Sequence, residues 1–317
     1  MKVIAAHNPD ADVRRASSSG GVFSLIAEKV ISEGGVVYGV AFNEEWKVEH
    51  LRVDTIEGLS ALRGSKYVYS HVGSAYEDAL ADLESGLKVL FSGTPCQVAA
   101  MKKRAGEREN LLLLEVICHG APEPIYWERY LSELCNKLKR DITDITSVNF
   151  RDKHTGWKNY SFTVKFSNGK TFTQPHADNL YMRAFLKDFT LREACFRCPF
   201  KYPEGSKADI TLGDFWGITQ IAPEIDNNLG TSLLISKKET NCEFTSYVTK
   251  DKDLSFQDAV KYNPAITSSP ALPANRDLFK TEAKEEKLLP VLKKFAGRPL
   301  SQKIYLYLAK LKHSLLH

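Results

Sequence analysis

Four cysteines stand where chemistry is possible. Cys96 lies in Ser92-Gly93-Thr94-Pro95-Cys96-Gln97, Cys118 in Cys118-His119-Gly120, and Cys195 and Cys198 form a CxxC. A thiolate is a soft metal ligand, and four of them make a tetrahedral site that suits zinc or an iron–sulfur cluster. Zinc would give a closed structural clip, whereas a cluster would carry electrons. The residues alone leave both metals open. Cys135 falls on the apolar stripe of an expected helix and reads as a buried core thiol. Cys242 stands in a polar stretch without a visible partner.

The elements that must position these thiols follow from the apolar pattern. Residues 88–92 and 111–117 are short apolar runs, each ending at a small-residue turn that carries a cysteine. Such runs read as buried strands, and residues 97–110 between them suit a short crossover helix. The unit is then βαβ with parallel strands. Cys96 and Cys118 fall just past the carboxyl ends of their strands, about 5 Å apart if the strands are neighbours. Ligands of open α/β sheets bind at that edge.

Two further stretches look like parts of a binding site. Ser17-Ser18-Ser19-Gly20-Gly21 opens an amphipathic helix, whose free N–H groups attract anions. An ordinary helix cap is the plainer reading. Residues 62–70 combine Arg63, Gly64, Ser65, Lys66 and Tyr67, a set that suits a phosphate beside a flat ring. Other elements are expected as strands over 1–6, 36–42, 145–150, 160–166, 170–174 and 233–236. Helices are expected over 75–83, 122–140 and 179–188. Ser167-Asn168-Gly169 is expected to turn a hairpin.

Composition bounds the rest. With 317 residues, 43% hydrophobic and 26% charged, the chain can bury a full core. A net charge of +4 is too mild to argue for nucleic acid. No transmembrane run or signal peptide is apparent, so a cytoplasmic location is expected. Six cysteines in a chain of this length point to metal or redox work rather than a disulfide scaffold.

Taken in order, seven motifs resemble the family of coenzyme F420 hydrogenase/dehydrogenase beta subunits. They are Ser17–Gly21, Arg63–Tyr67, Gly93-Thr94-Pro95-Cys96-Gln97, Cys118-His119-Gly120, Phe150-Arg151-Asp152-Lys153 with Gly156-Trp157, Cys195–Cys198, and Thr211-Leu212-Gly213-Asp214-Phe215-Trp216-Gly217. The family comprises iron–sulfur flavoproteins and includes the plant reductase of 7-hydroxymethyl chlorophyll. The resemblance implies FAD beside a [4Fe–4S] cluster. The cluster ligands would be Cys96, Cys118, Cys195 and Cys198. The flavin would lie over Ser18, Ser19, Gly20, Gly64, Ser65, Lys66 and Tyr67, with Lys66 toward its pyrophosphate. His119 becomes the candidate proton donor; the plainer role is a hydrogen-bonded structural histidine. Many relatives carry an N-terminal ferredoxin segment with eight closely spaced cysteines, and this sequence has no such run. Either another polypeptide supplies electrons, or the chain is trimmed or without redox function. Bacterial relatives are often associated with polysaccharide biosynthesis.

The expected fold is α/β: a mixed sheet with βαβ units flanked by helices, a smaller β-rich section and a C-terminal helical tail. The expected division is 1–140 for the flavin and cluster part, 141–262 for a β-rich part whose CxxC completes the site, and 263–317 for a linker and basic amphipathic helix. The expected function is an FAD- and iron–sulfur-dependent oxidoreductase or its electron-transfer subunit. Its partners would be a ferredoxin-like or other electron-transfer protein and a small-molecule substrate, not nucleic acid, with room for a homo-oligomer. The alternative is a zinc-stabilised scaffold or partner-binding protein.

Overall fold

The computed structural model describes residues 1–237 and 251–298. Cys242 and the tail helix expected over 300–316 lie outside the described residues. From the N-terminus, β1 (Lys2–Ala6) leads to α1 (Ala11–Ala16) and α2 (Val22–Ser32). β2 (Val36–Phe42) and β3 (Val48–Val53) precede α3 (Leu59–Leu62) and α4 (Ala75–Glu84). β4 (Val89–Gly93), α5 (Pro95–Ala105) and β5 (Leu111–Val116) form the expected βαβ unit. Next come α6 (Pro124–Leu138), β6 (Ile145–Asp152), β7 (Ser161–Phe166), β8 (Thr171–Pro175) and α7 (Leu180–Leu186). β9 (Ile210–Asp214), α8 (Ile218–Ile221), β10 (Ser232–Ser236) and β11 (Asp251–Asp253) follow. Three helices close the described chain: α9 (Phe256–Tyr262), α10 (Arg276–Glu285) and α11 (Leu288–Ala296).

Eight strands form one mixed sheet in the order β11-β1-β10-β9-β5-β4-β2-β3, and β6, β7 and β8 form a smaller antiparallel sheet. β2, β4, β5 and β9 run parallel. Such strands are covered on both faces, which explains their nearly continuous apolar runs. α2 lays Val22, Ile26 and Val30 over Val37, Leu90 and Leu114. On the other face, α4 and α5 place Ala79, Leu83, Val98 and Met101 against Val36, Val89 and Phe91. A third cluster joins α6, α7, α10 and α11 to the small sheet around Trp127, Phe150, Phe162 and Tyr181. At roughly 1.5–3 kcal/mol for each fully buried large side chain, these three layers dominate the gross stabilisation.

Two features were not anticipated. β9, the Thr211–Asp214 stretch noted only as a motif, is a central strand. It runs parallel to β5 at Leu114↔Ile210 and antiparallel to β10 at Leu234↔Leu212. Residues 141–262 therefore supply strands to both sheets. The segment around Pro264 and Pro270, expected as a linker, borders the main cavity. No helix among the described residues is long and apolar enough to cross a membrane.

Candidate functional site

A cavity of about 670 Å3 opens along the carboxyl ends of β4, β5 and β9. That volume suits a cofactor or a sizeable ligand. Of the residues singled out in the sequence, Ser18, Ser19, Gly64, Ser65, Lys66, Tyr67, Cys118 and His119 all line it. Gly20 does not. A Cβ there would lie 2.5 Å from Ala6 O and 2.6 Å from Ser232 N, so Gly20 lets the loop press against β1 and β10.

Cys96 sits in the first turn of α5, after Thr94 as N-cap and Pro95. Cys118 follows β5, and Cys195 and Cys198 belong to a 3-10 turn over Glu193–Arg197 and its cap. All four are free thiols. Burial pushes the Cys118 thiol up to about 12, and the charges of Cys195, Cys96 and Cys198 act on it in the same direction. Lys201 opposes them, its Nζ donating to Cys118 O at 2.7 Å. The four thiols are thus electrostatic neighbours. Four ligands about 2.3 Å from one zinc ion would hold their sulfurs about 3.8 Å apart. Among the described residues no group of three or more His, Cys, Asp or Glu side chains is gathered as a single ion requires. Two sulfurs already carry polar contacts, Ala121 N donating to Cys195 Sγ at 3.4 Å and Thr94 Oγ1 lying 3.2 Å from Cys96 Sγ. Cys135 lies apart, buried in α6.

The two polar loops meet at the opposite wall. Ser65 Oγ donates to Ser18 Oγ at 2.7 Å. Lys66 Nζ donates to Ala61 O and Arg63 O, both at 2.9 Å, capping the end of α3. Two of its three donors are thereby occupied. Enclosure of the ammonium lowers its pKa to about 7. The Tyr67 ring stacks on Phe185 at 4.7 Å. The loops, the start of α2 and the cavity volume are compatible with a dinucleotide flavin.

His119 is paired. Its Nε2 lies 2.5 Å from Asp188 Oδ1, and its ring meets Phe185 edge-on. Asp188 holds a positive φ of 67° just past α7.

Sequence reasoning noted Arg151 and Asp214 within motifs but gave them no role. Arg151 is buried, and its Nη1 donates to Asp214 Oδ2 at 2.9 Å and to Tyr67 Oη at 3.1 Å. Its Nη2 reaches Ser18 O at 3.2 Å, and its guanidinium lies 4.0 Å over the Tyr160 ring. Burial works against the charge, but Asp214, Tyr67 and Tyr160 outweigh it and raise the pKa. Asp214 also accepts from Trp157 Nε1 at 3.1 Å. Trp157 stacks on Trp216, which is half-exposed at the cavity. Lys153 Nζ binds Arg14 O, Ser19 O and Leu229 O at 2.7–2.8 Å. These cations tie the small sheet to the serine loop. Their only early signal was charge and aromatic rings crowded beside glycine.

A sequence model of the coenzyme F420 hydrogenase/dehydrogenase beta subunit N-terminal region matches residues 3–77, and one of its C-terminal region matches residues 86–261. The chain belongs to this family. The F subunit of the F(420)H(2) dehydrogenase of Methanosarcina mazei is 25% identical over 139 residues, which is 42% of this chain and 38% of that protein. The match thus spans well under half of that relative. A chain from the xenon-derivatised F420-reducing [NiFe] hydrogenase complex of Methanosarcina barkeri has the same fold, with a TM-score of 0.53 at 17% identity, covering 93% of this chain and 90% of that one.

Proposed function

We propose that the chain is an electron-transfer oxidoreductase subunit that holds a [4Fe–4S] cluster on Cys96, Cys118, Cys195 and Cys198 beside FAD in the main cavity. One observation carries this reading: Cys96 and Cys118 follow neighbouring parallel strands, Ala121 N just past Cys118 donates to Cys195 Sγ at 3.4 Å, and Cys118 lines the main cavity. When bound, the two groups supply single-electron transfer and hydride chemistry. The chain's own residues bind and orient. The start of α2 and the Ser18–Ser65 contact form the polar wall that a pyrophosphate would face. Lys66 lines the same cavity. Arg151 fixes Asp214 and Tyr67 so that the wall keeps its shape. His119 holds a proton on Nε2 toward Asp188, leaving Nδ1 to take or give one. The CxxC turn is partly exposed, which gives a partner protein access to the cluster end. A ferredoxin-like electron partner, a small organic substrate and a cytoplasmic setting complete the proposal, the last supported by the free thiols.

The test is anaerobic purification followed by iron, sulfide and flavin analysis with a visible spectrum. Four irons with acid-labile sulfide, together with extractable FAD, are expected. Stoichiometric zinc without iron would overturn the cluster assignment, and a cluster-loaded protein that takes up no FAD would overturn the flavin assignment.

A further inference from the structure

The hydroxyl of Thr94 stands between two acceptors. Its Oγ1 lies 2.9 Å from Gln97 Oε1 and 3.2 Å from Cys96 Sγ. A hydroxyl has one proton, so it serves one of them at a time. A sulfur bound to a cluster carries no proton and is only an acceptor, so the hydroxyl proton would gain more by turning to it than by staying on the neutral amide oxygen.

The surroundings make that turn cheap. Gln97 Oε1 keeps the backbone N–H of Thr94 at 3.0 Å in either state, so no buried acceptor is stranded. Gln97 itself cannot follow the hydroxyl. Its Nε2 donates to Ser70 O at 3.2 Å and to Ser70 Oγ at 2.9 Å. Ser70 Oγ is in turn 3.3 Å from Nδ1 of buried His50, whose Nε2 lies 3.2 Å from Ser92 O. The chain of contacts is fixed at both ends by the sheet, and the Thr94 hydroxyl is the part of it that can rotate.

We propose that Thr94 is a hydrogen-bond donor to the Cys96 sulfur, a positioning residue that raises the reduction potential of the cluster held there. The inference rests on the cluster reading above. A hydrogen bond to a ligating sulfur offsets negative charge and so favours the state with the additional electron. Thr94 touches the ligand and not the reacting atoms.

The experiment compares anaerobically reconstituted wild type, Thr94→Val and Thr94→Ser by potentiometric titration, following the cluster's visible absorption. Thr94→Val keeps the shape of threonine without the donor. It is expected to hold wild-type iron and sulfide and to show a more negative midpoint potential, while Thr94→Ser stays at the wild-type value. An unchanged midpoint in Thr94→Val, or a serine variant displaced as far as valine, would overturn the proposal. A folded Thr94→Val that loses its iron would overturn it too, because the hydroxyl would then serve retention and not potential. Thr94→Ala is the second variant if valine does not fold; failure of both to fold cooperatively would reduce Thr94 to a helix cap. Failure of the underlying reading looks different, since wild type itself would then take up no iron and sulfide.

Discussion

Cys96 and Cys118 follow strands buried inside the parallel part of the large sheet, whereas Cys195 and Cys198 ride a surface turn braced from outside. The first pair is placed by strand register, with Ser92↔Leu114 and Gly93↔Glu115 side by side just before the two cysteines. The second pair depends on side chains from far along the chain. Arg276, on α10, pairs with Glu193 at 2.5 Å, bonds Leu191 O and stacks over Phe196 at 4.7 Å. Ser269 Oγ accepts from Cys198 N at 3.2 Å. One half of the thiol set is therefore as rigid as the sheet, and the other can open locally without the sheet unfolding.

The largest expected effect tests whether the pairs are equivalent as ligands. Cys118→Ser and Cys198→Ser should each lose nearly all iron and sulfide, measured on protein prepared without oxygen, while FAD uptake persists. Full iron in Cys198→Ser alone would mean that the turn pair is dispensable.

Next is the brace. Arg276→Met removes a buried cation and leaves Leu191 O without this donor, while exposed Glu193 stays solvated, so the cost should be about 1–3 kcal/mol. Thiol labelling followed by peptide mass analysis should show Cys195 and Cys198 reacting faster, with Cys96 and Cys118 unchanged. Uniform acceleration of all four would erase the distinction between the regions.

A third effect belongs to the sheet side. Burial lowers the His50 pKa to about 4 from its ordinary 6.5. The unfolded chain binds the proton first, so stability is fully present above pH 6.5 and declines as the pH falls toward 4. The loss is at most about 3 kcal/mol. Urea midpoints should fall across that window in wild type and fall less in His50→Gln.

The smallest effect lies away from both pairs. Lys66→Ala should weaken FAD binding by about 1–3 kcal/mol. Because the ammonium titrates near 7, wild-type affinity should decline as the pH rises through that value, and the variant should lack this dependence. Equal affinities by fluorescence titration would put the phosphate elsewhere.

Much of the scaffold was legible because its signals are local. The apolar runs of β2, β4 and β5 and the 167–169 hairpin turn need only their own residues. β9 was not, because Thr211, Gly213 and Asp214 interrupt its apolar pattern, and its place is set by pairing with β5 from far earlier in the chain. The thiol set and the two polar loops could be named from spacing. Asp188 beside His119 and Asp214 beside Arg151 could not, since each pair is made by tertiary contact. Prolines 264 and 270 signalled a linker, and proline rules out helix and strand interiors without saying what the chain then borders.

The pairing of β1 with β10 has a consequence for biosynthesis. Lys2 leaves the ribosome long before its partner, Ser236. At about 5–20 residues per second, the first strand waits roughly 10–50 s for its neighbour. The serine loop waits with it, because Ser19 Oγ bonds Thr231 O, Gly20 N bonds Ser232 Oγ and Lys153 ties Ser19 O to Leu229 O. The polar wall of the cavity therefore takes shape only once β10 has been made, and a nascent chain halted before β10 has no finished pocket to load.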